Sequence, residues 1–164
     1  MSLGTGCTQL ALATKRNRPL RNMTKMRRAP DAMGAARDLL CGLHPSISVR
    51  SLDSSYNCMG MIFAARRTVL DTDVLHYIID DDGYSDLASP DNLGVGDIVL
   101  YAADEELTHV AMVVKVGLAA TQDRAPDHLL LSQWGFDGEY FHSLHDIPSL
   151  YGAPVRYLTD RLRP

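Results

Sequence analysis

The sequence predicts an α+β domain in which helices are collected first and an antiparallel sheet follows. Three observations carry that expectation. Between residues 31 and 83, apolar side chains recur at helical spacing in three separate segments. From residue 96 onwards the period changes to short β-branched and aromatic runs broken by turn residues. The two patterns do not alternate, which argues against a parallel βαβ sheet. A chain of 164 residues, 46% apolar and 22% charged, is long enough to bury one core and is neither disordered nor fibrous in composition. No apolar run approaches the roughly 18 residues that a bilayer-spanning helix needs.

Charge is spread unevenly. From Lys15 to Arg28 there are seven basic residues and no acid, whereas positions 29–164 hold nine basic and twenty acidic residues. An arm of +7 therefore precedes a body of −11. The arm, residues 1–30, lacks periodicity and contains Asn17, Pro19 and Asn22, so it is expected to be extended or disordered, a solvated tail that folds back on the acidic body. Nucleic-acid binding by the arm is the lesser reading. The stretch "CTQLALA" lies before the basic cluster and is short for a secretory signal. Three cysteines, with no CxxC pair, suggest neither a disulfide framework nor a zinc site. These features predict reduced thiols in a cytoplasmic protein.

Residues 31–164 read as a single domain. "DAMGAARDLLCGL" (31–43) places Ala36, Leu39, Leu40 and Leu43 on one helical face, with Asp31 as N-cap and Pro45 beyond its end. After the polar loop "SLDSSYN", a second helix is expected from about Tyr56 or Asn57 through "CMGMIFAARRTVL", with Arg66 and Arg67 near its C-terminal end. "DTDVLHYIIDDDG" (71–83) predicts a third, capped by Asp71 or Thr72, buried through Val74, Leu75, Ile78 and Ile79, and ended by Gly83. Strands are expected at 96–103, 108–116, 128–135, 139–143 and 154–160, with a long loop "GLAATQDRAPD" between the second and third.

Cys58 falls in the first turn of the second predicted helix. Unpaired backbone N–H groups there favour an anion, so a thiolate should have a lowered pKa. The alternative is a buried packing cysteine. A nucleophilic thiol needs a base. Among six histidines, His109 differs by opening the apolar run "HVAMVVKV", at the edge of the predicted sheet.

The order "YNCMGMIFAARR", "VGDIVLY", "THVAMVV", "LLLSQWG", across residues 56–135, resembles the NlpC-type and CHAP branches of the papain-like cysteine peptidase superfamily. The resemblance implies a papain-like fold, a nucleophile at Cys58, a catalytic histidine at His109 and a third polar residue on the following strand. That strand offers Gln133 and Ser132 on opposite faces. Gln133 is the expected orienting residue, with Ser132 as the alternative. Tyr56 reads either as a staple of the helix start or as an oxyanion donor, and Trp134 either as a groove-lining residue or as cover for the core. Asp97 reads as a turn aspartate bonded to its own backbone.

The leading expectation is a cysteine hydrolase acting on a peptide-like or amide substrate, with no metal or cofactor implied. The competing class is a non-catalytic module that keeps the fold and binds a peptide or protein in its groove. "MGM" after Cys58 favours that second class, because a small residue or tryptophan is more usual at this place in the families it resembles.

Overall fold

The computed structural model describes residues 9–117 and 127–161. Its centre is a seven-stranded sheet in the order β2-β8-β7-β6-β5-β9-β4, with every pairing antiparallel. The strands are β2 (Ser48–Ser51), β4 (Ser85–Asp86), β5 (Ile98–Ala103), β6 (Glu106–Lys115), β7 (Leu129–Gln133), β8 (Glu139–His142) and β9 (Ala153–Thr159). The last five fall within two residues of the positions expected from their alternating and apolar runs. The short edge strands β2 and β4 carry mostly exposed residues and no apolar run to announce them.

Both faces of the sheet are covered. On one, α2 (Cys58–Phe63) and α3 (Leu75–Asp82) pack over Ile98, Leu100, Val110 and Leu158. On the other, α1 (Pro30–Leu43) lies against Val99, Tyr101, Ala111, Leu130, Trp134 and Tyr140, using Leu40 and Cys41. Successive strand residues point to opposite faces, so β5 and β6 divide their side chains between two cores. This explains why their sequences read as continuous apolar runs.

Helix ends follow local chemistry. Residues Val74, Leu75, Ile78 and Ile79 are buried as expected, and Gly83 closes α3 with φ of +83°. A 3₁₀ turn at Thr72–Val74 leads into that helix. At α1 the cap position is Ala29, with no side-chain cap; Pro30 occupies the first turn and Asp31 lies inside the helix instead of capping it. The second helix is shorter than expected. It ends at Phe63 because Ala65 and Arg66 take positive φ, and the chain then returns as β3 (Val69–Leu70) beside the helix.

From residue 9 the basic arm folds back on the acidic body, but it is partly buried and strand-paired there, not extended or disordered. Ala13 and Pro19 form a bridge, Leu20 is buried in the same apolar cluster as Cys58, and β1 (Asn22–Met23) pairs antiparallel with β3. Buried Asn22 accepts from the Leu10 amide and donates to the Leu10 and Leu20 carbonyls, which closes the arm on itself. Its cations meet acids of the body: Arg18 pairs with Asp81, Lys15 with the end of α3 through Asp82, Arg27 with Asp53 and Arg28 with Asp137. The loop expected at 117–127 lies, but for its two ends, outside the described residues. Among the described residues, no helix is long and apolar enough to cross a membrane.

Candidate active site

Asn57 builds the start of α2. Its Oδ1 accepts from the Gly60 amide at 2.9 Å and from the Leu70 amide at 3.2 Å, while its Nδ2 donates to the Leu70 carbonyl at 2.7 Å. One side chain therefore caps the helix and ties it to β3. Cys58 follows, and α2 rests against β6 and β7.

The ladder between β6 and β7 runs from Met112 opposite Leu131 to Lys115 opposite Leu129. Val110 lies beyond this ladder, and its backbone N–H is close enough to the Cys58 sulfur to favour the thiolate. The strand that carries His109 thus meets the thiol through the next residue. Burial pushes the Cys58 pKa up, and the Val110, Met59 and Cys58 amides offset this only in part. The lowered pKa expected from the helix terminus is not what the structure gives. A six-residue helix has a small dipole, and desolvation of a thiol that is only 7% exposed outweighs it.

His109 is buried, and neither of its ring nitrogens has a hydrogen-bond partner. Its ring is held by stacking on Tyr151, with centroids 4.0 Å apart and planes 19° apart, and by a tilted contact with Tyr101 at 5.8 Å. Thr108 donates to the Tyr151 carbonyl at 2.7 Å, fixing that ring over the start of β6. Burial and then the charge of Cys58 push the Tyr151 phenol up. Burial, followed by the charge of His142, holds the His109 pKa well below the ordinary histidine value. Cys58 is therefore a neutral thiol in the cluster on the α2 face and His109 a neutral imidazole on the α1 face of β6, with no hydrogen bond between them.

Gln133 does not orient His109. The register puts Tyr101 opposite His109, Val99 opposite Ala111, Val113 opposite Leu130 and Ser132 opposite Tyr140, so His109 and Ser132 share the α1 face. Leu131 and Gln133 face α2. There Gln133 donates from Nε2 to the Asp53 carbonyl at 2.7 Å, pinning the loop that leads to Cys58, while its buried Oε1 has no partner. The glutamine positions the cysteine loop, not the imidazole.

Ser132 shares the histidine face but is committed elsewhere. His142 Nδ1 bonds the Ser143 carbonyl at 2.8 Å, which places the proton on Nδ1 and leaves Nε2 to accept from the Ser132 hydroxyl at 2.8 Å. Trp134 Nε1 donates to the same oxygen at 3.0 Å. Trp134 is 1% exposed and stacks on Tyr140, so it covers the core and does not line a groove. Tyr56 is also removed from the role of oxyanion donor. Its hydroxyl donates to Glu139 Oε1 at 2.7 Å, where Arg50 and Arg66 also converge. Asp97 accepts from the Gly94 amide at 2.7 Å, as a turn aspartate does, and also pairs with Arg161.

Tyr151, His142, Glu139 and Asp53 were not singled out from the sequence. Each acquires its place through a contact more than forty residues away, or through a packed face that a single sequence does not display. Cys41 and Cys58 are both free thiols. Among the described residues, no group of three or more His, Cys, Asp or Glu side chains is placed to hold a metal ion.

The two buried histidines make stability depend on pH. Burial lowers the His142 pKa from the ordinary 6.5 to about 4, and that of His109 also falls. Below its unfolded-state pKa each binds a proton more readily in the unfolded chain. Their contribution is thus full above about pH 6.5 and is lost as pH falls through that value towards 4, by up to about 1.4 kcal/mol per pH unit for each histidine. Urea denaturation should give a lower midpoint at pH 5 than at pH 7. An equal or higher midpoint at pH 5 would contradict this.

Compared with protein-family models, with curated proteins and with solved structures, the chain matches none. Function must therefore be argued from the residues themselves.

Proposed function

We propose that this chain is a papain-like thiol hydrolase acting on an amide or peptide-like bond, with Cys58 as nucleophile and His109 as base. The observation that carries the reading is the buried, unpartnered imidazole of His109, next in sequence to Val110, whose amide lowers the Cys58 pKa against burial. Buried polar atoms are almost always paired, and leaving them unpaired costs about 1–3 kcal/mol each. Gln133 Oε1, on the α2 face, is unpaired too. The ring faces the α1 side and stacks on Tyr151, so catalysis requires it to leave that stack and reach the thiol; it gives up no hydrogen bond in doing so, and would then take the thiol proton on attack at a carbonyl carbon and return it to the leaving amine. Backbone amides around Cys58 are the candidate donors to the oxyanion.

A second reading is favoured by one specific observation. Both groups are buried and neutral, as in a module that keeps the fold without the chemistry. Turnover separates the two. Hydrolysis of a panel of fluorogenic peptide amides by the full chain should be abolished by Cys58→Ala and reduced at least about 100-fold by His109→Ala, the lower range for loss of a positioned base. Turnover that persists in Cys58→Ala would overturn the hydrolase reading.

A further inference from the structure

Residues 24–28 run as a strap from β1 to α1 and touch the loop that leads into α2 and the turn between β7 and β8. Arg28 donates its backbone N–H to Ser54 Oγ at 2.6 Å and pairs with Asp137 through its side chain. Lys25 Nζ sits 3.1 Å above the Phe136 ring centroid, and Arg27 Nη2 lies 2.9 Å from Asp53 Oδ2. No apolar side chain anchors this stretch; Met26 is 88% exposed. The strap is held by charge, and the Leu20 and β1 anchors lie before it.

Asp53 is prepared to receive a cation. Its Oδ1 accepts from the Ser55 amide and hydroxyl, at 2.8 and 2.6 Å, which leaves Oδ2 for the guanidinium. Its backbone carbonyl is pinned by Gln133, the residue that borders the candidate site. Burial pushes this carboxyl up, but Ser55 and then Arg27 more than offset it, so it stays below the usual carboxylate range. Beneath the strap lies a cavity of about 240 Å³, walled by Arg27, Arg28, Asp53, Ser54 and Met33. The cavity is left unfilled by the chain, beside a carboxylate whose second oxygen is taken by Arg27, a side chain that is itself 74% exposed.

We infer that Asp53 is a specificity-determining residue for a basic side chain in a peptide substrate, and that Arg27 of the strap fills its place when no substrate is bound. The inference rests on the hydrolase reading for its activity, but not for its binding. A basic peptide and the strap compete for one carboxylate. Acidic peptides are rejected by Asp53.

The full chain carrying Arg27→Ala and Arg28→Ala tests this. If the strap is closed in about nine molecules of ten, release should raise the rate of Cys58 alkylation by iodoacetamide about tenfold. Raising salt from 0.05 to 0.5 M should increase the rate in the parent in the same direction, since exposed ion pairs are screened. The peptide acetyl-Lys-Met-Arg-Arg-amide should bind the double variant more tightly than the parent, by calorimetry, and lose that binding when Asp53→Ala is added. A peptide with glutamates at the basic positions should not bind. Parent-like alkylation in the double variant, or peptide binding unaffected by Asp53→Ala, would overturn the inference. Fast alkylation of the double variant that does not depend on His109 would sink the hydrolase reading and leave the strap standing.

Discussion

Gly60→Ala should destabilise the protein by about 3 kcal/mol or more, at the upper end of what overpacking costs. Helix propensity alone points the other way, since alanine is favoured over glycine in a helix by about 1 kcal/mol. The clash decides. A Cβ on Gly60 would sit 1.8 Å from the Thr68 carbonyl oxygen and 3.2 Å from Tyr56 Cβ. The Thr68 oxygen belongs to the backbone, just before β3, and cannot rotate away. Thr68 also donates its hydroxyl to Asn22, so the arm resists any shift of this segment. In urea denaturation the Gly60→Ala midpoint should fall well below the parent's. A parental midpoint would mean that α2 and β3 are less tightly apposed than described.

Ser132→Ala should cost about 2–6 kcal/mol, because it strands two buried polar groups at about 1–3 kcal/mol each. Those groups are the Trp134 indole N–H and His142 Nε2, and both rings are 1% exposed. Gln133→Leu should cost less. It gives up one bond to the Asp53 carbonyl and removes an Oε1 that already lacks a partner. This order reverses what the resemblance implies for the two residues, where Gln133 matters and Ser132 is replaceable. Equal stabilities for the parent and Ser132→Ala would show that the serine is not the junction of the Trp134–His142 network.

The fold was legible where periodicity alone decides. Val74, Leu75, Ile78 and Ile79 announce α3, and the runs around Val99, Val113 and Leu130 announce the strands. The facing of β7 was not legible. With Leu130, Leu131, Ser132 and Gln133 all buried, no polar and apolar alternation marks which side meets His109. Only the pairing with β6 and β8 settles it. The end of α2 was misjudged for a similar reason. Nothing in "FAARR" announces positive φ at Ala65 and Arg66, which is imposed by the return to β3 and by the pull of Glu139 on Arg66.

The site was legible in part. The order of the motifs places Cys58 at the start of α2 and His109 on β6, but does not show that their side chains fall on opposite faces of the sheet. Their ionisation was not legible, because burial depends on the whole fold and here it opposes the effect of the helix start. The arm shows how short-range evidence falls short. Its seven cations read as a solvated tail folded back on the acidic body, but composition does not show that Leu20 and Asn22 seat it on the core and against β3.

The measurement that bears most directly on the Cys58–His109 assignment is the pH dependence of Cys58 alkylation, followed by mass spectrometry in the parent and in His109→Ala. A thiol served by a neighbouring base gives up its proton as it reacts, so the parent rate should be nearly flat between about pH 6 and 8. In His109→Ala the rate should fall about tenfold per pH unit below the thiol pKa, as for an unassisted thiol. The same unit slope in both proteins would contradict the assignment of His109 as the base for Cys58.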